Sequence, residues 1–360
     1  MFRQIKTIAE TKISDDNRIK SVHFHPTEPL LVLAYFSGEI QIIATNNYSV
    51  MKTIHFDASQ PVRCAVFMTG YPWILATGDN MAVSAYDYNT GNLISTKDHA
   101  HNDYIRQIAI HPTLPMFLTC SDDRTVKSFK FTSNNEIELE RTFTGHTHFV
   151  MDVKINPKDP STFATASLDS TIIFWGLTAS NPRFTLTGHT DGVNCIEFFP
   201  GSDKPFIASG SDDFSICIWD YQSKACIATL SGHTNNVTAL RFHPTYPVLF
   251  SIGEDQMFFI WNTTTYQSEF CKGYNKKRGW SIDIKDNIIA VGFDNGLVVS
   301  KFGRDNVAVI TMDTNGRAYW AKNNDIQSTH LNQFTDLSDG ETVDVIVKDV
   351  STSEIMPTSI

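Results

Sequence analysis

The chain has 360 residues, 41% hydrophobic and 12% aromatic, with a formal net charge of −10. That is apolar mass enough for a large core, and an all-β ring reaches this length as one domain. Lysines and arginines are scattered, which argues against a nucleic-acid or anionic-membrane surface, and no run approaches the ~20 apolar residues of a membrane span.

A repeat sets the frame for the elements. Gly-His-Thr occurs at Gly145-His146-Thr147, Gly188-His189-Thr190 and Gly232-His233-Thr234, and the pairs Asp169/Trp175, Asp213/Trp219 and Asp255/Trp261 recur every 42 to 44 residues. Four short strands and their turns need that length. Each unit reads as one propeller blade, because a four-stranded sheet of ~40 residues cannot bury both faces alone and stacks until a ring closes. Within a blade the His, a Ser or Thr, the Asp and the Trp indole can hydrogen-bond in a chain that pins the entering loop to the central hairpin. His146, His189 and His233 are therefore read as structural, not catalytic.

In chain order, the first ten residues supply an outer strand that closes the last blade, although Phe2, Ile5 and Ile8 recur every third residue instead of every second. The segments beginning at Ile19, Val62 and Ile105 match Val237-Thr238-Ala239-Leu240-Arg241-Phe242 and are the first strands of blades 1 to 3. First strands near Val150, Val193 and Val237 open blades 4 to 6, and a degenerate one at Trp280-Ser281-Ile282 opens blade 7. Residues 1–304 thus predict an all-β, seven-bladed WD40-type β-propeller. At the aromatic position blades 1 to 3 carry Ile43, Tyr86 and Phe129, and the last blade ends at Phe302, so their polar chains are incomplete. Such blades still pack through apolar burial, at ~25 cal/mol per Å². Residues 305–360 are richer in Asp, Ser, Thr and Asn; Ala318-Tyr319-Trp320 and the alternating Thr342-Val343-Asp344-Val345-Ile346-Val347-Lys348 suit equally a linker or the start of a second β domain. The chain reads as a fragment of a longer one.

Cys64, Cys120, Cys195, Cys217, Cys226 and Cys271 form no Cys-x-x-Cys and no zinc-ligand spacing, so they are expected to be small core residues in a reducing compartment. The opening residues lack the apolar stretch of a secretory leader, and the expectation is a cytoplasmic protein. No metal or cofactor is expected.

Charge along the rim is uneven. The turn between a blade's second and third strands and the loop entering its first strand share one rim, so the residue before each structural Asp faces that rim, as do the first-strand starts. Arg18, Lys20 and Arg63 stand at the starts of blades 1 and 2, with Arg278 in blade 7. Asp79, Asp103 with Asp122, Asp212 and Glu254 stand at rim positions of blades 2, 3, 5 and 6. Charged rims are often only soluble surface. Segregation by blade suits instead a ligand with an anionic end and a cation three residues away, ~10 Å at ~3.3 Å per residue. A peptide C-terminus carrying lysines is such a ligand.

Asp16-Asn17-Arg18-Ile19-Lys20-Ser21-Val22, His25-Pro26-Thr27-Glu28-Pro29, Pro61-Val62-Arg63, Asp103-Tyr104-Ile105-Arg106, Asn156-Pro157-Lys158-Asp159-Pro160 and Trp219-Asp220-Tyr221-Gln222 resemble the β′ subunit of coatomer, across blades 1 to 7. The tail resembles the junction to that family's second propeller. The resemblance implies a COPI coat subunit, cytoplasmic and peripheral on Golgi membranes and coated vesicles. It would partner other coatomer subunits and bind the C-terminal dilysine signal, K-K-x-x or K-x-K-x-x, of membrane cargo returning to the endoplasmic reticulum. It assigns Arg18, Lys20 and Arg63 to the terminal carboxylate, Asp103 and Asp122 to one lysine, and Asp212 to another. Phe36 stands where the family usually has Tyr, able to pack on a lysine stem but not to donate a hydrogen bond.

The coatomer α subunit is the nearest alternative, and the segment Asn156 to Pro160 with Tyr221-Gln222 favours β′. A ubiquitin-ligase substrate receptor fits less well, since Trp219-Asp220 is not followed by the Trp-Asp-x-Arg pattern. A nucleophile elbow, a phosphate-binding Gly-rich loop and a His/carboxylate metal motif are absent, so an enzyme is not expected.

Overall fold

The computed structural model describes residues 5–11, 17–56, 60–201, 204–303, 310–312, 317–322, 325–330 and 348–352. Phe2, Asp16 and residues 342–347 lie outside them.

Residues 2–302 cluster as one unit and contain seven four-stranded antiparallel sheets. In six of them four consecutive strands pair in chain order, as in blade 1, with strands Ile19–Phe24, Leu30–Tyr35, Glu39–Ala44 and Val50–His55. Burial falls outward across each blade. Every residue of the second strands Leu30–Tyr35, Trp73–Gly78, Met116–Ser121, Thr162–Ser167 and Val248–Gly253 is buried. Covered on both faces, such a strand holds apolar residues with small buried Thr and Ser among them, whereas the outer strand Val50–His55 is mostly exposed.

Neighbouring blades share cores. Leu30, Val32 and Ala34 of blade 1 pack with Val62, Phe67 and Ile74 of blade 2. Ring closure joins Ala290, Leu297 and Val299 of blade 7 to Ile19, Leu31 and Leu33 of blade 1. Charged groups in the channel add links between blades: the Asp283 carboxylate accepts the Phe24 N–H at 2.7 Å, and the Asp152 carboxylate accepts that of Ile196 at 3.0 Å. Arg241 reaches both Glu197, at 2.6 Å, and Asp283, at 3.0 Å.

Blade 7 is completed from the other end of the chain. Strands Gly279–Lys285, Ile288–Phe293 and Gly296–Phe302 are joined by Ile5–Glu10, which runs antiparallel to the third. Ile5, Thr7 and Ala9 are half-buried, while Ile8 is exposed. Pairing skips from Thr7 to Ala9, a β-bulge at Ile8, yet burial still alternates residue by residue, and Ile8 is an apolar residue on the exposed phase.

The aromatic position of blade 7 departs from the expectation. Trp175 pairs Phe163, Trp219 pairs Ile207 and Trp261 pairs Leu249. The equivalent pair in blade 7 is Ile289 with Ser300, two residues before Phe302, which ends the strand. The cause is the turn: Phe293 pairs Gly296 directly, leaving only Asp294 and Asn295 between the strands, fewer than in the other blades.

Residues 303–360 cluster as a second unit. Its described strands Ile310–Met312, Arg317–Lys322, Asp325–His330 and Lys348–Thr352 pair in chain order as a four-stranded antiparallel sheet, and Ala318, Tyr319 and Trp320 lie in its second strand.

Candidate functional site

Two kinds of polar assembly recur around the ring, one inside the blades and one at the channel mouth. Inside blade 4, His146 Nδ1 meets Asp169 at 2.8 Å, its Nε2 meets the Thr165 hydroxyl at 2.7 Å, and the Trp175 indole N–H donates to that hydroxyl at 2.9 Å. Blade 5 repeats this with His189, Asp213, Ser209 and Trp219, and blade 6 with His233, Asp255, Ser251 and Trp261. Burial opposes the charge of Asp169, but the hydrogen bonds from His146 and Thr171 outweigh it and hold the carboxyl well below its usual range. A Cβ on Gly145, Gly188 or Gly232 would come within 2.9 Å of the indole of Trp175, Trp219 or Trp261. The repeated Gly-His therefore exists because an indole lies against the glycine. Blade 3 keeps three members: His101 bonds Asp123 at 2.9 Å and Thr119 at 2.7 Å, with Phe129 in place of the indole.

The second assembly is built by two equivalent positions per blade. Phe36, Asp79, Asp122, Leu168, Asp212, Glu254 and Asp294 each donate a backbone N–H, at 2.8–3.1 Å, to Arg18, Pro61, Tyr104, Phe149, Gly192, Asn236 and Arg278 respectively. They are the rim positions of blades 1 to 7. The other position is the second residue of each first strand: Lys20, Arg63, Arg106, Met151, Asn194, Thr238 and Trp280. In all seven blades pairing to the second strand skips that residue, a β-bulge that turns its side chain out of the sheet. All seven line one cavity of about 250 Å³, together with Gln107, Leu168, Asp212, Asn236 and Glu254.

Charge around this mouth is polarised. Three consecutive blades present Lys20, Arg63 and Arg106; the opposite side presents Asp212 and Glu254. Most of these charges already have partners. Arg63 grips Asp79 with two nitrogens, one bond at 3.0 Å, and lies over the Tyr104 ring at 5.2 Å. Arg106 grips Asp122 the same way, at 2.7 and 2.5 Å. Arg278 contacts Asp294 at 3.1 Å and Glu254 at 3.6 Å.

Two groups differ. Lys20 has no carboxylate partner among the described residues; its ammonium sits over the Trp280 ring, 3.1 Å from the centroid. Burial, then the charges of Arg63 and Arg18, hold its pKa well below the lysine range, and Asp294 offsets this only in part. Asp212 receives a hydrogen bond from the neutral Asn194 amide at 2.6 Å. Burial raises its pKa, Asn194 opposes this, and the nearby Asp191, Glu254 and Asp213 add to the rise. Among the described residues one group lacks a counter-anion and the other a counter-cation.

The sequence-derived residues thus divide. Lys20, Arg63 and Asp212 line one cavity. Arg18 stands at its edge, 3.4 Å from Asp294, with its guanidinium 5.3 Å from the Phe36 ring centroid. Phe36 therefore packs beside a cation at the mouth. Asp122 is buried under Arg106, and half-buried Asp103 accepts the N–H of Tyr104 at 2.8 Å. Arg106, Asp294 and Trp280 belong to the assembly and carry no role in the sequence reading. The signal for them was a spacing of 16 residues shared by Arg63/Asp79, Arg106/Asp122 and Arg278/Asp294.

Comparison with known proteins agrees with this architecture. The family described as WD domain, G-beta repeat matches residues 91–130, 137–176, 180–220 and 224–262. Coatomer subunit beta′ of Rattus norvegicus is 48% identical over 224 residues, covering 61% of this chain and 25% of the relative. That of Drosophila melanogaster is 46% identical over 227 residues, with the same coverage. The probable coatomer subunit beta′ of Caenorhabditis elegans is 43% identical over 231 residues, covering 62% and 23%. The chain spans about a quarter of the length of these curated relatives.

Proposed function

We propose that this chain, a WD-repeat β-propeller of the coatomer β′ family, binds the C-terminal dilysine signals of membrane cargo at the mouth of its central channel. The observation that carries the reading is the polarised cavity, with Lys20, Arg63 and Arg106 on one side and Asp212 and Glu254 on the other. A terminal carboxylate meets Lys20, Arg18 and Arg63. A lysine upstream, ~10 Å away at ~3.3 Å per extended residue, meets acids of the rim. Asp103 and Asp122 serve one lysine in this reading, and Asp212 the other.

The existing pairs shape how these groups act. Asp122 shares its charge with Arg106, so a ligand lysine there adds to a pair already made. Among the described residues Asp212 gains a first cation, which offsets the burial and the like charges that raise its pKa. Charge-assisted hydrogen bonds contribute ~1.5–3 kcal/mol each when shielded, and less at an open mouth, so several of them lead to about micromolar affinity. Such binding suits a coat that must release cargo, with many copies in the lattice supplying avidity.

In this role the protein is not an enzyme. It works on the cytoplasmic face of Golgi membranes and COPI-coated vesicles, with the other coatomer subunits as partners and membrane contact through the coat.

The deciding experiment is calorimetric titration with a peptide ending in K-K-x-x as the free acid, beside its amidated twin and a version with both lysines replaced by serine. Binding of the free acid alone is the expected result. Equal binding of all three, or of none, would overturn the reading.

A further inference from the structure

We infer that blade 7 supplies the positioning residues of the anion-binding side: Asp294 stations Arg18, and the Trp280 indole holds Lys20 with its charge uncancelled. The inference rests on the carboxylate-binding half of the function proposed above and adds residues that neither the repeat pattern nor the family likeness assigns.

The argument starts from a comparison of equivalent positions. In blades 2 and 3 the cation of the inner position folds onto the acid at its own blade's rim, Arg63 onto Asp79 and Arg106 onto Asp122. Blade 1 has Phe36 at that rim position, so Lys20 has no acid at the equivalent place of its own blade. The neighbouring inner position, in blade 7, is Trp280, and Lys20 lies on its face. A ring quadrupole attracts an ammonium without neutralising it. An Asp or Glu in that place would cancel the charge.

Asp294 fixes the geometry of both cations. It is buried, with 3% of its surface exposed. One oxygen accepts the Trp280 indole N–H at 2.6 Å and lies 3.4 Å from Arg18 Nε; the other meets Arg278 Nε at 3.1 Å. Holding the indole N–H sets the ring plane that Lys20 rests on, while the same carboxylate anchors Arg18. A single side chain therefore spaces two cations that converge on an incoming carboxylate. Burial, then Arg63 and Arg18, depress the pKa of Lys20, and an incoming carboxylate would offset this by favouring the charged form.

Trp280→Leu and Trp280→Phe separate this from a structural role, because Phe keeps an aromatic face and Leu does not. Wild-type protein and both variants are titrated with the free-acid peptide and its amidated twin. Trp280→Leu should lose about tenfold in affinity for the acid, the size of one shielded cation–π contact, with the amide unaffected; Trp280→Phe should stay within about threefold of wild type. Equal binding by Trp280→Leu and wild type, or proportional losses for acid and amide, would overturn the inference.

A second readout does not depend on cargo. The Lys20 ε-methylene resonances, read by NMR with selectively labelled lysine, should be ring-current shifted in wild type and in Trp280→Phe but not in Trp280→Leu. Added acetate should move them saturably in wild type and in Trp280→Phe, and only weakly in Trp280→Leu. An unshifted Lys20 signal, or one indifferent to acetate in wild type, would overturn the inference even where the peptide binds. An acetate response together with equal binding of acid, amide and serine peptides would instead sustain the inference and remove the dilysine reading.

Discussion

Blades 4 to 6 and the arc formed by blades 7, 1, 2 and 3 solve different problems on the same backbone. In blades 4 to 6 a buried chain of His, Ser or Thr, Asp and Trp ties each entering loop to its hairpin. Across the other arc that chain is shortened or lost, and Arg18, Lys20, Arg63, Arg106 and Arg278 gather at the channel mouth with Asp79, Asp122 and Asp294. The lesson is a division of labour. The ring is held by apolar burial between all neighbours, so the tying chain can be given up locally, while the rim positions lie outside that chain and are free to carry charge.

The largest effect should appear where the tying chain is complete. Trp219→Ala in blade 5 removes a buried indole and leaves Ser209 without its donor, and should cost about 3–5 kcal/mol in urea unfolding. Phe36→Ala, at the rim of blade 1, should cost under about 1 kcal/mol because Phe36 is only half-buried. Comparable losses at the two sites would erase the distinction between the arcs.

Acid should weaken the whole ring through a third group of histidines. His243 Nδ1 accepts the N–H groups of Thr245 at 3.1 Å and Tyr246 at 3.0 Å, which requires the neutral form of that nitrogen. Burial lowers its pKa to about 4, against opposing influences from Asn287 and Asp286. The folded pKa lies below the unfolded one, near 6.5, so the stabilisation is full above pH ~6.5 and is lost as pH falls toward 4, amounting to about 3 kcal/mol. His243→Gln should flatten the pH dependence of unfolding in that window; an unchanged slope would remove His243 as its source.

Binding comes next in size. Asp212→Asn should weaken the lysine-bearing peptide about tenfold while leaving the melting temperature unchanged or slightly higher, since the carboxylate is held at a raised pKa in the folded state. Asp122→Asn should weaken it less, because Arg106 already shares that charge. The reverse order, measured by the same calorimetry, would place the dominant lysine contact in blade 3. Smallest of all, carboxylate affinity should decline as pH rises toward the ordinary lysine range, because Lys20 gives up its proton early under the influence of burial, Arg63, Arg18 and Arg106. A flat profile between pH 7 and 9 would count against Lys20 as the unneutralised cation.

Much of the ring was legible because blades 4 to 6 spell out every member of their polar chain, which sets a register that weaker repeats can be aligned to. Legibility failed where a residue is inserted or removed. Ile8, apolar but on the exposed phase, obscures the alternation of the closing strand, and the short Asp294-Asn295 turn shifts the register of blade 7, whose aromatic position falls at Ser300. That displacement also concealed Asp294, the rim acid of blade 7. The charge map named Lys20, Arg63 and Asp212, but who pairs with whom depends on side chains re-aimed by bulges, and no periodicity encodes that. Hence Asp122 looked like a free acid until Arg106 was found across it.

The closing strand Ile5–Glu10 has a temporal consequence. Its partner, Gly296–Phe302, lies roughly 290 residues further along the chain. At synthesis rates of about 5–20 residues per second, a ribosome needs from about 15 seconds to a minute to deliver that partner. Through that interval the segment is an unpaired edge, the earliest-made strand of the ring and the last to find its place. Exposed Lys6 and Glu10 alternate with its inward residues, charges of the kind that discourage edge-to-edge pairing. A nascent chain can therefore reach the final blade with its first strand still unattached, and the ring becomes one cooperative body only when its beginning and its end have met.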